Sequence, residues 1–347
     1  MVIEVDVLVI GQGLAGSTLV WRLAERGLST LVVDRGGVDP WGRASSSRVA
    51  AGLVTPVTGK RLTLADDFAE LWDDARRFYR RVERATRSTL LDEAPAVRLF
   101  VDETERGLFH SRLAAGEYGE HARPADPHEL PAGLAAPFGG FVMPSAARLR
   151  VADFLLATRG SLAAEDRYIK ADADPSELCF QSDRVLLERY GVAGRRAVLC
   201  QGYAPSQPPW LGGPTLAPAK GEVLTIESAS HGDDRVVHRG VWIAPEGPGG
   251  YRVGATTDHD RIDSEPTEEG RAELLGRLAE AGLTDARVTD HSAAVRPATP
   301  DRRPTFGFSE RQPRAAWLNG LGAKGVLWAP TYADRLAEQV ARSLGSP

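Results

Sequence analysis

Hydrophobic positions along the chain change period several times, and each change marks an element. Val5 to Ile10 is an unbroken apolar run, short enough for a strand buried on both faces. It ends in Gly11-Gln12-Gly13-Leu14-Ala15-Gly16, and a helical pattern follows to about Arg26. A turn at Gly27 leads to a second apolar run, Thr30 to Val33, which stops on Asp34. From Asp66 to Arg87 the period is helical: Phe68, Leu71, Trp72, Ala75, Phe78, Tyr79 and Val82 recur at three- and four-residue steps. Its arginines alternate with acids, which predicts a solvated face. Short apolar runs at 97–101 and 139–144 predict strands, with a Pro/Ala/Gly-rich exposed loop between Pro124 and Pro137. Arg150 to Leu162 returns to helix. Arg184–Tyr190 and Arg196–Leu199 predict two more strands, the second ending in Cys200-Gln201-Gly202.

The second half of the chain opens on short apolar runs separated by turn residues. Lys220–Ile226, Val236–Ala244 and Gly250–Thr256 predict an antiparallel meander. Thr267–Gly282 predicts an amphipathic helix, and Val288–Arg296 another strand. The tail predicts a strand at Ala316–Asn319, a glycine-rich loop from Gly320 to Gly325, and a helix to about Ser343. The fold class implied is mixed α/β: a Rossmann-like domain with a central parallel sheet, plus a domain built on a mixed antiparallel sheet.

The first forty residues carry a dinucleotide fingerprint. Gly11 permits a tight turn, Gly13 lets the backbone approach a pyrophosphate, and Gly16 lets helix and strand pack closely. Unpaired N–H groups of the helix start, including those of Leu14 and Ala15, face the phosphates, and Asp34 can accept from a ribose. Arg35 lies either along the adenosine or in solvent. The segment from Trp41 to Leu53 holds three consecutive serines, then small residues. Ser46 and Ser47 suit phosphate contacts, and Ala51, Gly52 and Leu53 suit close passage of a flat ring. The Gly320–Gly325 loop is a second strand-to-helix turn of the same kind. The fingerprint alone leaves NAD and FAD open.

Bulk properties narrow the class. At 347 residues, two packed domains are the default. A formal charge of −5 counts against a general nucleic-acid binder. Cys179 and Cys200 form no metal or disulfide pattern, which suits a reducing cytoplasm, and Cys200 reads as a packing residue. His110, His121 and His128 share no ligand spacing and read as surface or loop histidines, so no metal site is expected. No secretory leader and no membrane-length apolar stretch is expected.

The ordered set of segments resembles the flavin-dependent D-amino-acid oxidase superfamily, most nearly its glycine oxidase and sarcosine oxidase branch and the oxidase domain of the tRNA methylaminomethyl-uridine modification protein. GQGLAG with Asp34 resembles the ADP-binding unit, SSSRVAAGL the loop over pyrophosphate and flavin ring, and GGFVMPSAARLRVADFLLA the return into the flavin domain. AVLCQGYA, with Gly202, resembles a further cofactor-facing turn, and PAKGEVLTI the strand that opens the substrate sheet. VWIAPEGPGGYRVGATTD resembles the hairpin over the flavin, AAVRPATPDRRPTFG the segment with the substrate arginine, and NGLGAKGVLWAP the loop near the flavin pyrimidine ring.

The resemblance implies noncovalent FAD, since no cysteine stands where sarcosine oxidases attach flavin. It implies FAD contacts at Gly322, Ala323, Lys324, Gly325 and Val326. It places a substrate carboxylate on Arg296, with Trp242, Tyr251 and Leu53 around it. Lys324 either supports the flavin and its reaction with oxygen or is a solvated lysine. Trp242 replaces a tyrosine and Leu321 a histidine frequent in the family. The loop from Thr55 to Arg61 has no familiar counterpart. The expected division is 1–92, 145–215 and 300–347 for FAD, with 93–144 and 216–299 for substrate. The implied activity is oxidation of the C–N bond of a small amine or amino acid, with O2 or another acceptor as partner and self-association left open. A dehydrogenase, an RNA-modifying flavoprotein and a non-catalytic flavin binder are the alternatives.

Overall fold

The computed structural model describes residues 2–39, 42–204, 212–213 and 215–345. Trp41 and the stretch 205–211 of the expected FAD portion lie outside the described residues.

Five parallel strands form the core of an eight-stranded sheet, whose other three strands, Cys179–Phe180, Val185–Leu187 and Thr305–Phe308, pair antiparallel. Tyr168–Lys170 pairs with Thr30–Asp34, which pairs with Ile3–Ile10, then Val192–Leu199, then Ala315–Asn319. Val7, Leu8, Val9, Leu31, Val32 and Val33 are fully buried, as an apolar run without alternation requires. Helices α1 (Leu14–Ala24), α2 (Ser46–Val49), α3 (Phe68–Thr86), α4 (Glu103–Ala114), α5 (Val151–Ala163), α6 (Glu268–Glu280) and α7 (Gly325–Leu344) follow in chain order. The α1 and α7 helices share one core with Val7, Val9, Val32, Val198 and Leu318 of the parallel sheet. Leu8, Ile10, Leu31, Val33 and Leu199 share a second core with Ala173, Leu178 and the antiparallel strand residues Val185 and Leu187.

The second sheet has eight strands. In spatial order they are 287–296, 219–227, 250–254, 241–245, 237–239, 96–99, 140–143 and 123–124. All neighbours are antiparallel except 237–239 with 96–99, so the sheet is mixed. One face packs on α6 through Leu224, Ile226, Ile243, Tyr251 and Val253.

Four expectations change. The run 236–244 is two strands, because Gly240, at φ +68°, turns the chain between Arg239 and Val241. The segment 95–144 contains α4, which Asp102 caps by accepting from Glu105 N at 2.7 Å. The hydroxyl-rich segment is one turn of helix, α2, rather than loop throughout. Part of the Pro/Ala/Gly-rich stretch also joins the sheet, since Arg123–Pro124 pairs with Gly140–Met143. The three histidines lie apart: His110 on the exposed side of α4, His121 edge-on to Phe68, His128 exposed in a short 3-10 turn.

Two histidines, buried His231 and half-buried His238, should make stability pH-dependent. His231 is 3% exposed and packs edge-on to Tyr251. Burial lowers its pKa although Asp233 and Asp285 oppose the shift. His238 is pushed down to about 3 by burial, with Arg98 and Arg277 adding to it. Both are neutral when folded, whereas unfolded histidines protonate near pH ~6.5. Their contribution is therefore full above about pH 6.5 and declines as pH falls toward the folded values. Urea unfolding from pH 7.5 to 5 should show falling stability, and His231→Phe should flatten the slope; an unchanged slope would remove His231 from this account.

Candidate cofactor and substrate site

The crevice lies at the carboxyl ends of the parallel strands, where the loops after Ile10, Leu199 and Asn319 converge. Gly11, at φ +99°, sits against the Cys200 carbonyl, which a Cβ there would meet at 2.6 Å. A Cβ on Gly16 would stand 2.0 Å from the Gly11 carbonyl oxygen, so this crossing of helix and loop requires glycine. Gly13 is the N-cap of α1 and has no side chain to cap it. Leu14 N donates to Ser47 Oγ at 3.0 Å, which ties α2 to the start of α1; Leu14 and Ala15 are themselves buried. Asp34 accepts from Gln12 N at 2.8 Å through one oxygen, and from Gly36 N, Gly37 N and Tyr168 OH through the other. Its first oxygen keeps a lone pair for a ribose hydroxyl. Arg35 pairs with Asp172 at 2.5 Å and is half-buried.

The segment from Ser45 to Leu53 crosses this crevice. Ser46 opens α2, and its carbonyl accepts from Ala50 N. The Ser45 Oγ is buried and has no hydrogen-bond partner among the described residues. Carbonyls of the next stretch are turned away by external donors. Arg252 reaches Val49 O at 2.6 Å and Ala50 O at 3.0 Å, Arg148 reaches Ala51 O at 3.0 Å, and Leu149 N reaches Gly52 O at 2.9 Å. Gly52, at φ +76°, presses against the Leu149 carbonyl. Leu53 begins a two-residue strand beside Arg148 and is half-buried. Sequence reading missed both arginines, because their partners are main-chain carbonyls that leave no mark in side-chain pattern.

The third loop closes the crevice. Asn319 donates to Gly202 O at 2.8 Å and accepts from Gly320 N at 2.8 Å. Gly322 N donates to Pro297 O at 3.1 Å, which joins this loop to the residue after Arg296. Ala323 is exposed and Lys324 half-buried. Lys324 is the N-cap of α7 and makes no capping hydrogen bond, and burial lowers its pKa despite Asp66 nearby. A Cβ on Gly325 would stand 3.0 Å from Leu14 Cδ2, so the N-termini of α1 and α7 lie side by side. Val326 is buried, its carbonyl held by Tyr79 OH at 3.0 Å. Neither helix start has an N-cap side-chain bond, and at α1 only the Leu14 N–H is taken, by Ser47. Together with glycines where a Cβ would collide and the orphaned Ser45 hydroxyl, these two starts fit a large anionic dinucleotide. Cys200 lies beneath Gly11 and Gly16, with its thiol pushed up to about 12 by burial, a packing residue without thiolate character.

The second sheet turns its other face toward α2. The register pairs Val223 with Gly254 and Gly221 with Ala294, so these positions share that face. The Arg296 guanidinium lies across Gly221, where a Cβ would stand 1.9 Å from Nη2. The Trp242 ring lies across Gly254, where a Cβ would stand 2.5 Å from Cζ2. Trp242, Val49, Val223, Ala294 and Ala255 form a small apolar cluster. Arg296 is half-buried and has no carboxylate partner among the described residues. Burial lowers its pKa, and its hydrogen bonds run to Lys220 O at 3.4 Å and Thr256 O at 3.1 Å. Tyr251 is a correction. It is 3% exposed in the α6 core, one residue out of phase with the Trp242 face. The signal for the Arg296 platform was Gly221 inside a strand, a sign of close approach.

Comparisons with known proteins agree with this geometry. A family model described as DAO, FAD dependent oxidoreductase, matches residues 6–339. The chain is similar to the tRNA 5-methylaminomethyl-2-thiouridine biosynthesis bifunctional protein MnmC of Maricaulis maris, with 30% identity over 97% of this chain and 52% of that protein. It is also similar to the putative thiamine biosynthesis oxidoreductase ThiO of Rhizobium etli, with 27% identity over 98% of each. The chain thus spans about half the length of the first curated relatives it matches, and nearly all of ThiO. The crystal structure of glycine oxidase from Geobacillus kaustophilus shares the fold, with a TM-score of 0.82, 20% identity, and coverage of 98% of this chain and 95% of that one. The chain belongs to the DAO family of FAD-dependent oxidoreductases, and FAD is its cofactor.

Proposed function

We propose that this enzyme oxidises the C–N bond of a small amine or amino acid that carries a carboxylate. The observation that supports it is Arg296: a guanidinium set across Gly221, tied to two main-chain carbonyls, and left without an acid partner among the described residues. Three of its five N–H groups stay available, enough for a bidentate carboxylate. Trp242 and the small residues around it supply an apolar wall beside that fork. Residues 1–92, 145–215 and 300–347 hold the cofactor in this reading, and 93–144 with 216–299 hold the substrate.

Bound FAD supplies the two-electron acceptor that turns the C–N bond into an imine. Arg296 fixes the carboxylate and so the direction in which the amine points. The segment Ala51–Leu53 and the Gly322–Val326 loop would hold the cofactor's ring end. The α7 N-terminus and Lys324 put positive potential at that rim. Water hydrolyses the imine product to a carbonyl compound and ammonia or the smaller amine, and O2 is the terminal acceptor. Anaerobic mixing with glycine, N-methylglycine and a panel of D-amino acids tests the reading. At least one should bleach the visible flavin band, while the amine lacking its carboxylate should not. A protein that binds no FAD, or that no member of the panel reduces, defeats it.

A second reading follows from the MnmC likeness: the amine is carried on an RNA. The net charge of −5 and the acid-paired arginines of α3 weigh against it. Salt-sensitive tRNA binding would favour it.

A further inference from the structure

We propose that Thr256 is the positioning residue for Arg296, and that its hydroxyl sets how tightly this site holds a carboxylate. The inference rests on the reading of Arg296 as the carboxylate site. The strand Gly250–Gly254 ends two residues before Thr256, yet the pairing with Ala219–Glu227 continues through a side chain. Glu222 N donates to Thr256 Oγ1 at 2.9 Å, where a regular ladder would offer a carbonyl. Thr256 N donates back to Glu222 O at 3.3 Å. The Thr256 carbonyl is thereby left to accept Arg296 Nη2 at 3.1 Å. The other anchor, Lys220 O, is fixed by the reciprocal pair between Lys220 and Asp258. Thr256 is 5% exposed, so water does not replace its bonds.

The two anchors of the guanidinium therefore sit one on the segment 256–258 and one on the Lys220–Glu222 stretch, and these two stretches are stapled to each other. Only the Thr256 staple depends on a side chain. Without the hydroxyl, Glu222 N loses its acceptor, and the carbonyl that aims Nη2 is held only through the longer 3.3 Å bond from Thr256 N to Glu222 O. The Arg296 fork then samples orientations that a planar carboxylate cannot meet with two bonds.

The test uses the FAD-loaded protein and acetate as the probe, its binding followed through the visible flavin spectrum. Thr256→Val should weaken acetate about tenfold, the worth of one well-placed hydrogen bond. Thr256→Ser keeps the hydroxyl and should stay within about twofold. Gly221→Ala pushes the guanidinium off the same carbonyl and should match Thr256→Val without touching Thr256. Adding Thr256→Val to Arg296→Ala should weaken acetate no further. With the best amine of the anaerobic panel, Thr256→Val should raise KM and leave kcat nearly unchanged. Equal losses in the Val and Ser variants, or an unchanged Val variant, would overturn the proposal while the Arg296 assignment stands. Acetate binding that survives Arg296→Ala would overturn that assignment and this inference with it.

Discussion

Arg296→Ala should lower kcat/KM for a carboxylate-bearing amine by about a hundredfold, with FAD content unchanged. A charge-assisted bidentate pair in a partly desolvated site is worth about 3 kcal/mol, and 2.7 kcal/mol is roughly a hundredfold. Among the described residues, the Arg296 side chain hydrogen-bonds only to Lys220 O and Thr256 O, not to the cofactor loops. Its link to them is the Pro297 carbonyl, which holds Gly322 N at 3.1 Å through the main chain and survives truncation of the side chain. The loss should fall on KM and on the acetate Kd. Arg296→Lys should recover only part of it, because an ammonium cannot span both Lys220 O and Thr256 O and still offer a fork. Steady-state kinetics beside a flavin-to-protein absorbance ratio separates binding from cofactor loss. An unchanged KM in Arg296→Ala would remove it from the substrate site.

The cofactor half of this site was legible in the sequence because it is local. Gly11, Gly13 and Gly16 act within six residues, and Asp34 closes the same β-α-β unit. The substrate half is a matter of sheet phase and register. Tyr251 and Arg252 are neighbours in sequence, but the alternation of a strand sends Tyr251 into the α6 core and Arg252 to Val49 and Ala50. Apolar pattern around Gly249–Gly250 did not fix that phase. Arg148, Arg252 and Thr256 were unreadable for a related reason: each acts on main-chain atoms far away in sequence, which carry no side-chain signature. Helix α4 was readable, since Asp102 with Glu105 three residues later is a capping pair, but the glycines and prolines around it hid the signal.

Gly16→Ala and Gly13→Ala should part company although they stand in one motif. A Cβ at Gly16 meets the Gly11 carbonyl oxygen at 2.0 Å and Cys200 Cβ at 3.3 Å. The first is main chain and cannot rotate aside, so α1 must lift off the sheet. Alanine gains about 1 kcal/mol of helix propensity over glycine, but overpacking costs about 1–3 kcal/mol, and a backbone collision belongs at the upper end. Packing wins: the FAD-free protein should lose about 2 kcal/mol, and it should purify colourless because the displaced helix start no longer faces the phosphates. At Gly13, with φ −73°, a Cβ meets only Ser47 Oγ at 3.1 Å, the end of a side chain that can turn away. Its FAD-free stability should change by less than about 1 kcal/mol, the scale of an N-cap exchange. The added methyl still stands where the backbone must approach the pyrophosphate, so FAD binding should weaken all the same. Urea unfolding of the FAD-free proteins, followed by FAD titration, separates the two roles. Equal stability in both variants would show that Gly16 is not what lets α1 pack on the Gly11 turn, and tight FAD binding by Gly13→Ala would place the phosphates away from this helix.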